Sequence, residues 1–181
     1  GYKWVLFGIV LGSLIGAPMA IWMPMTAVPQ RTALSHAFGA LAAALVGIAH
    51  YYEPHGGTLD RLTMAILAIE VLLGCLTFTG SLVAFGKLQE LIPSSIKGLT
   101  HQNILNFTVL GAAILCGIWL VVNPANWVAF VLLILLALAF GICLVMPIGG
   151  ADMPTVISLL NSYAGLSASM MGFVLDNKLL I

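Results

Sequence analysis

Long apolar runs, broken by short polar connections rich in proline and glycine, cover the chain. The first run spans residues 4–22 and stops at Pro24 and Pro29. The second spans 32–52 and ends on Tyr51 and Tyr52, where an aromatic belt at a membrane edge would lie. The third stays compatible with helix from 59 to 91, too long for one straight span, and its apolar part is 62–85. Gly86-Lys87-Leu88-Gln89-Glu90 then reads as emergence into water. The fourth run is 104–122, closed by Asn123-Pro124-Ala125-Asn126, a loop short enough to make the next helix an antiparallel neighbour. The fifth, 127–146, is almost pure Leu, Val, Ala, Ile and Phe, and its lack of a polar stripe predicts the most lipid-facing helix. The sixth, 154–175, opens on Pro154, a suitable residue for a first helical turn. Leu179-Leu180-Ile181 reads as the start of a seventh helix.

A spanning helix needs about 20 apolar residues, so this pattern predicts an all-α polytopic membrane bundle with six transmembrane helices. Residues 1–181 are expected to form a single transmembrane domain, and both ends read as positions inside a longer protein.

Composition narrows the class. Of 181 residues, 61% are apolar and 7% charged; six basic residues balance six acidic ones, and the mean hydropathy is +1.13. A soluble domain carries about 25% charged residues. A soluble enzyme, a disordered chain and a nucleic-acid binder are therefore excluded, and membrane lipid is the expected surrounding.

Two patterns concern helix packing. Gly8, Gly12 and Gly16 share one face of the first helix, where another backbone could approach closely. A shift of 125 residues lays the second helix on the sixth. Pro29 then meets Pro154, Leu34 meets Leu159, Leu41 meets Leu166, Ala43 meets Ala168 and Gly47 meets Gly172. Gly39, Ala43 and Gly47 form a small-residue face matched by Ala164, Ala168 and Gly172. The two helices would run in the same direction, as a parallel repeat. In that register His36 meets Asn161, and both would lie roughly 10 Å inside one membrane face at about 1.5 Å per residue.

Candidate chemistry is sparse. Only Glu70 is a charged residue deep in an apolar run. A charge at a helix centre costs about 2.5–3.5 kcal/mol on insertion scales, so Glu70 is expected to face the bundle interior. Desolvation disfavours the ionised carboxylate there, a property suited to a proton carrier; protonated helix–helix glue is the structural alternative. His36 can titrate near neutral pH where water reaches it. Asn161 can orient a water, and Ser162 and Tyr163 extend its polar patch. His50, His55 and His101 read as solvated. Cys75, Cys116 and Cys143 read as apolar packers, and no metal-ligand spacing, nucleotide loop, haem pair or catalytic triad is evident. The residues alone leave three readings open: a proton-translocating segment, a secondary transporter or ion-channel subunit, and a structural anchor.

The stretch 149–173, GGADMPTVISLLNSYAGLSASMMGF, closely resembles the membrane domain of the beta subunit of proton-translocating nicotinamide nucleotide transhydrogenase. So do TFTGSLVAFGKL at 77–88 and His36-Ala37-Phe38-Gly39 with the alanines after it. The resemblance implies coupling of proton movement to hydride transfer between NADH and NADP+, in a bacterial cytoplasmic (inner) membrane. It implies no catalytic, cofactor or metal residue in this segment, with NAD(H) and NADP(H) held by soluble domains elsewhere. Implied partners are alpha-subunit transmembrane helices, the NADP(H) domain and a second copy of the complete enzyme. Carried over by motif, Asn161 matches a proton-path asparagine, Glu70 a third-helix glutamate, and Asp152 an aspartate in the loop facing the NADP(H) domain. Asp152 and Lys87 would sense that domain from the cytoplasmic side, and a path would run past Glu70, Asn161, Ser162 and His36. Leu67 stands where the resemblance implies a histidine, which leaves the titratable role to His36 or to a partner helix.

Overall fold

The computed structural model describes residues 2–53, 59–93 and 102–181, and these hold six α-helices and no strand. They are α1 (Tyr2–Trp22), α2 (Val28–Tyr52), α3 (Arg61–Leu88), α4 (Gln102–Val122), α5 (Trp127–Val145) and α6 (Met153–Val174). Five are long and apolar enough to cross a membrane: α1, α2 with the short turn before it, α3, α4 and α5. α6 is as long, but Thr155, Ser158, Asn161, Ser162, Ser167 and Ser169 make it the more polar helix. His55, Lys97 and His101 lie outside the described residues.

Helix starts follow local chemistry. Asp60 caps α3 by accepting from the amides of Leu62 (3.2 Å) and Thr63 (3.3 Å). Hydrogen bonds from Thr63, side chain first, hold the Asp60 carboxyl below the usual carboxylate range. Asn126 caps α5 through Ala129 N. α2 and α6 each begin one residue before a proline and follow a 3-10 turn, Met25–Ala27 and Gly150–Asp152 respectively. Both features keep the offset that the sequence repeat predicts.

α3 is the central element, packed against α2, α4, α5 and α6. It runs unbroken through residues 61–88, so the third run forms one long helix. Its contact with α5 depends on Gly141: a Cβ there would overlap the Leu76 carbonyl oxygen and Thr79 Oγ1. Thr79 Oγ1 donates to Leu138 O at 2.8 Å across the same contact. Gly141→Ala must therefore push two backbones apart, an overpacking cost of about 1–3 kcal/mol. A lower thermal unfolding temperature of the purified protein is the expected outcome; an unchanged one would mean that α3 and α5 lie farther apart.

One packing expectation is overturned. α5 is not the most lipid-facing helix: Phe130 and Leu133 are fully buried, and Ala129, Ala137, Phe140, Gly141 and Val145 are buried with them. α1 is the most exposed helix of the described chain, with no buried residue, and its glycine face meets no neighbour there. Residues 175–181 form turns after α6, and Leu180 lies against Gly172.

Candidate functional site: a buried polar face on the central helix

Glu70 is fully buried where α2, α3 and α6 meet. Gly47 of α2 lies against it; a Cβ at Gly47 would stand 2.9 Å from Glu70 Oε1. From α6, the buried Ser167 donates to the Glu70 carbonyl at 2.9 Å. The small residue and the hydroxyl let two helices close over the carboxyl. Neither carboxyl oxygen has a hydrogen-bond partner among the described residues. A lone buried carboxylate ion is very costly, so the neutral acid is the form such surroundings tolerate.

Glu70 is not isolated along its own helix. Thr77 and Ser81 are buried at 0% and 1% exposure, and both hydroxyl oxygens lack partners among the described residues. Positions 70, 77 and 81 fall on one face of a 3.6-residue helix. Gly74 lies on the same face and packs against Ala40 and Ala44 of α2. The result is a buried stripe of hydrogen-bonding groups about 16 Å long at the rise of an α-helix. The sequence pattern singles out Glu70 and passes over the two hydroxyls. The seven- and eleven-residue offsets from Glu70 were the available signal.

The other candidates stand apart from Glu70. Asn161 lies about 9 Å along α6 from Ser167, and both it and Ser162 are exposed on the outside of this bundle. Ser162 Oγ donates to Ser158 O of its own helix at 3.1 Å. His36 lies about 16 Å along α2 from Gly47. It is half-buried, with Nδ1 enclosed and unpartnered among the described residues. Its ring lines a groove of about 600 Å³ between α1 and α2, beside Gly12, Gly16, Arg31 and Ser35. Glu70, Asn161 and His36 thus do not come together within the described chain. α4 adds only apolar burial, at Ala113 and Leu120. The small-residue face of α2 is not uniform: Gly39 is exposed while Gly47 packs on Glu70.

Leu67 is fully buried in an apolar cluster with Met64, Val71, Phe130 and Leu133.

At the end of the bundle that holds the start of α6, Asp152 is exposed and makes no side-chain cap bond to that helix. Lys87 departs from the expectation of a loop residue in water. It is 2% exposed, and its Nζ donates to Met146 O and to Ile148 O, the latter at 2.6 Å. Both carbonyls lie just past the end of α5, where the chain has left the helix and the negative end of the dipole also favours a cation. No group of three His, Cys, Asp or Glu side chains able to hold a metal is found among the described residues.

Comparison with known proteins fits this arrangement. The NAD(P) transhydrogenase beta subunit family matches residues 1–181, the whole chain. The chain belongs to that family. The NAD(P) transhydrogenase subunit beta of Rhodospirillum rubrum is 40% identical over 186 residues, covering 99% of this chain and 40% of the relative. The corresponding subunit from a designated strain of that species matches with the same identity and coverage. The chain thus spans 40% of the length of these relatives. Membership and five membrane-length helices together make it an integral membrane protein.

Proposed function

We propose that this chain is the membrane part of a proton-translocating NAD(P) transhydrogenase, and that protons pass along the buried face of α3. One observation carries the reading. Glu70, Thr77 and Ser81 line a single buried face, and their side-chain oxygens find no partner among the described residues. Each unpaired buried polar group costs about 1–3 kcal/mol. A helix that only anchored the subunit would be more stable with apolar residues at these places.

On this reading residues 1–181 are one transmembrane domain, and α6 completes six spans. NAD(H) and NADP(H) bind soluble domains outside this segment, where hydride transfer takes place. Polar side chains are poorly tolerated against lipid. The outward Asn161 and Ser162 therefore face a partner transmembrane helix, one from the alpha subunit. His36, in its groove beside α1, is the titratable group at the depth of Asn161, and it takes the role that Leu67 cannot. Asp152 meets the NADP(H) domain on the cytoplasmic side. The complete enzyme is a dimer in the bacterial cytoplasmic (inner) membrane. A secondary transporter would be expected to use broken helices around a midplane site, whereas α3 and α6 run unbroken past Glu70.

Asn161→Leu in the complete enzyme tests the outward part of the route. Because Asn161 is exposed in this bundle, the subunit should fold normally. Proton uptake into proteoliposomes during nucleotide turnover should fall by about 10²-fold or more, the low end for a lost proton-handling group. Uptake equal to the native enzyme would remove Asn161 from the path.

A further inference from the structure

We propose that Lys87 is a positioning residue: its ammonium clamps the connection between α5 and α6 to the end of α3, so that this connection follows the state of the buried polar face. The inference deepens the proton-translocating reading and rests on it.

A buried lysine is costly, and an apolar side chain of similar length would fill the space. Lys87 is nonetheless 2% exposed and makes no ion pair with a carboxylate among the described residues. Its compensation comes from two backbone carbonyls, those of Met146 and Ile148, which flank Pro147. The bonds cross 59 and 61 residues of sequence and join separate elements. Among the described residues, no other side chain from another element bonds to residues 146–152. The remaining bonds there are local, such as Ile148 N to Val145 O and Asp152 N to Gly149 O. Apolar packing also holds the segment, since Met146, Ile148 and the fully buried Met153 share a cluster with Val83 and Ala84 of α3; Lys87 adds the directional polar attachment.

The other partner in the clamp is the helix that matters. α3 carries Glu70, Thr77 and Ser81 and ends one residue after Lys87. Its last turn is itself held, with Gln30 Nε2 of α2 donating to Leu88 O at 3.3 Å and Ile92 folded over Gly86. A rotation or shift of α3 is therefore delivered through Lys87 to the segment bearing Asp152. Without the ammonium, that segment would be joined to α3 by apolar packing alone, which lacks the directional hold of two hydrogen bonds.

A double-mutant cycle on the complete enzyme in proteoliposomes tests the clamp. The exposed Ala151 is replaced by cysteine, and labelling at that position by a membrane-impermeant maleimide is read by mass spectrometry. Glu70→Gln should change the labelling rate by about threefold or more when Lys87 is present, and within about 1.5-fold in Lys87→Met. An equal response to Glu70→Gln in both backgrounds, or none in either, overturns the proposal. If Lys87→Met does not assemble, Lys87→Arg and Lys87→Gln replace it. Arginine should keep the response and glutamine should lose most of it; equal responses overturn the clamp. Proton uptake is recorded on the same vesicles. Normal uptake in Glu70→Gln with a changed labelling rate would overturn the proton reading and leave the clamp standing.

Discussion

Glu70→Gln in the complete enzyme should abolish proton translocation linked to nucleotide turnover, with a loss on the order of 10²-fold or more. Glutamine keeps the length and shape of the side chain and can still fill the junction of α2, α3 and α6. It cannot release or accept a proton. Because neither carboxyl oxygen has a partner among the described residues, no internal hydrogen bond is broken by the exchange. Thermal stability should therefore stay near that of the native protein while proton uptake is lost. Glu70→Asp tests geometry separately. It retains the titration but withdraws the carboxyl from Gly47, so partial uptake is expected. A full loss of stability with glutamine would instead assign Glu70 to helix–helix glue.

Thr77→Val combined with Ser81→Ala should separate stability from function in the opposite sense. Both changes delete a hydroxyl with little change of shape, at positions where the oxygen has no partner among the described residues. Replacing an unsatisfied buried polar group by an apolar one of similar shape is neutral or stabilising. The unfolding temperature should stay constant or rise. If the hydroxyls carry protons between Glu70 and the end of the bundle nearer Asp152, proton uptake should fall by about 10²-fold or more, with nucleotide binding intact. A rise in stability together with normal uptake would make these hydroxyls bystanders and confine the path to other groups.

What the sequence showed, and what it hid, follows from where each residue's partners come from. The proline starts of α2 and α6 and the caps Asp60 and Asn126 are local signals, and they mark helix starts within a turn or so. Glu70 was legible because one charge in a long apolar run has no inexpensive place except the interior. The exposure ranking of α5 was not legible: lipid tails and protein cores are equally apolar, and what buries α5 is the close approach of α3 at Gly141. The burial of Lys87 depends on carbonyls 59 and 61 residues away, which no local pattern announces. Asn161 reads as interior by composition, yet it faces outward in this chain, toward the helix of another subunit that we propose as its partner. Thr77 and Ser81 were visible only once Glu70 had fixed which face of α3 to follow.

The central claim is that Glu70 gains and loses a proton as the enzyme turns over. Infrared difference spectroscopy of the complete enzyme, comparing its two nucleotide-bound states, tests it most directly. A protonated-carboxyl band that changes between the states and vanishes in Glu70→Gln is the predicted result. A carboxyl band that stays constant through turnover, or one that survives in Glu70→Gln, would contradict it.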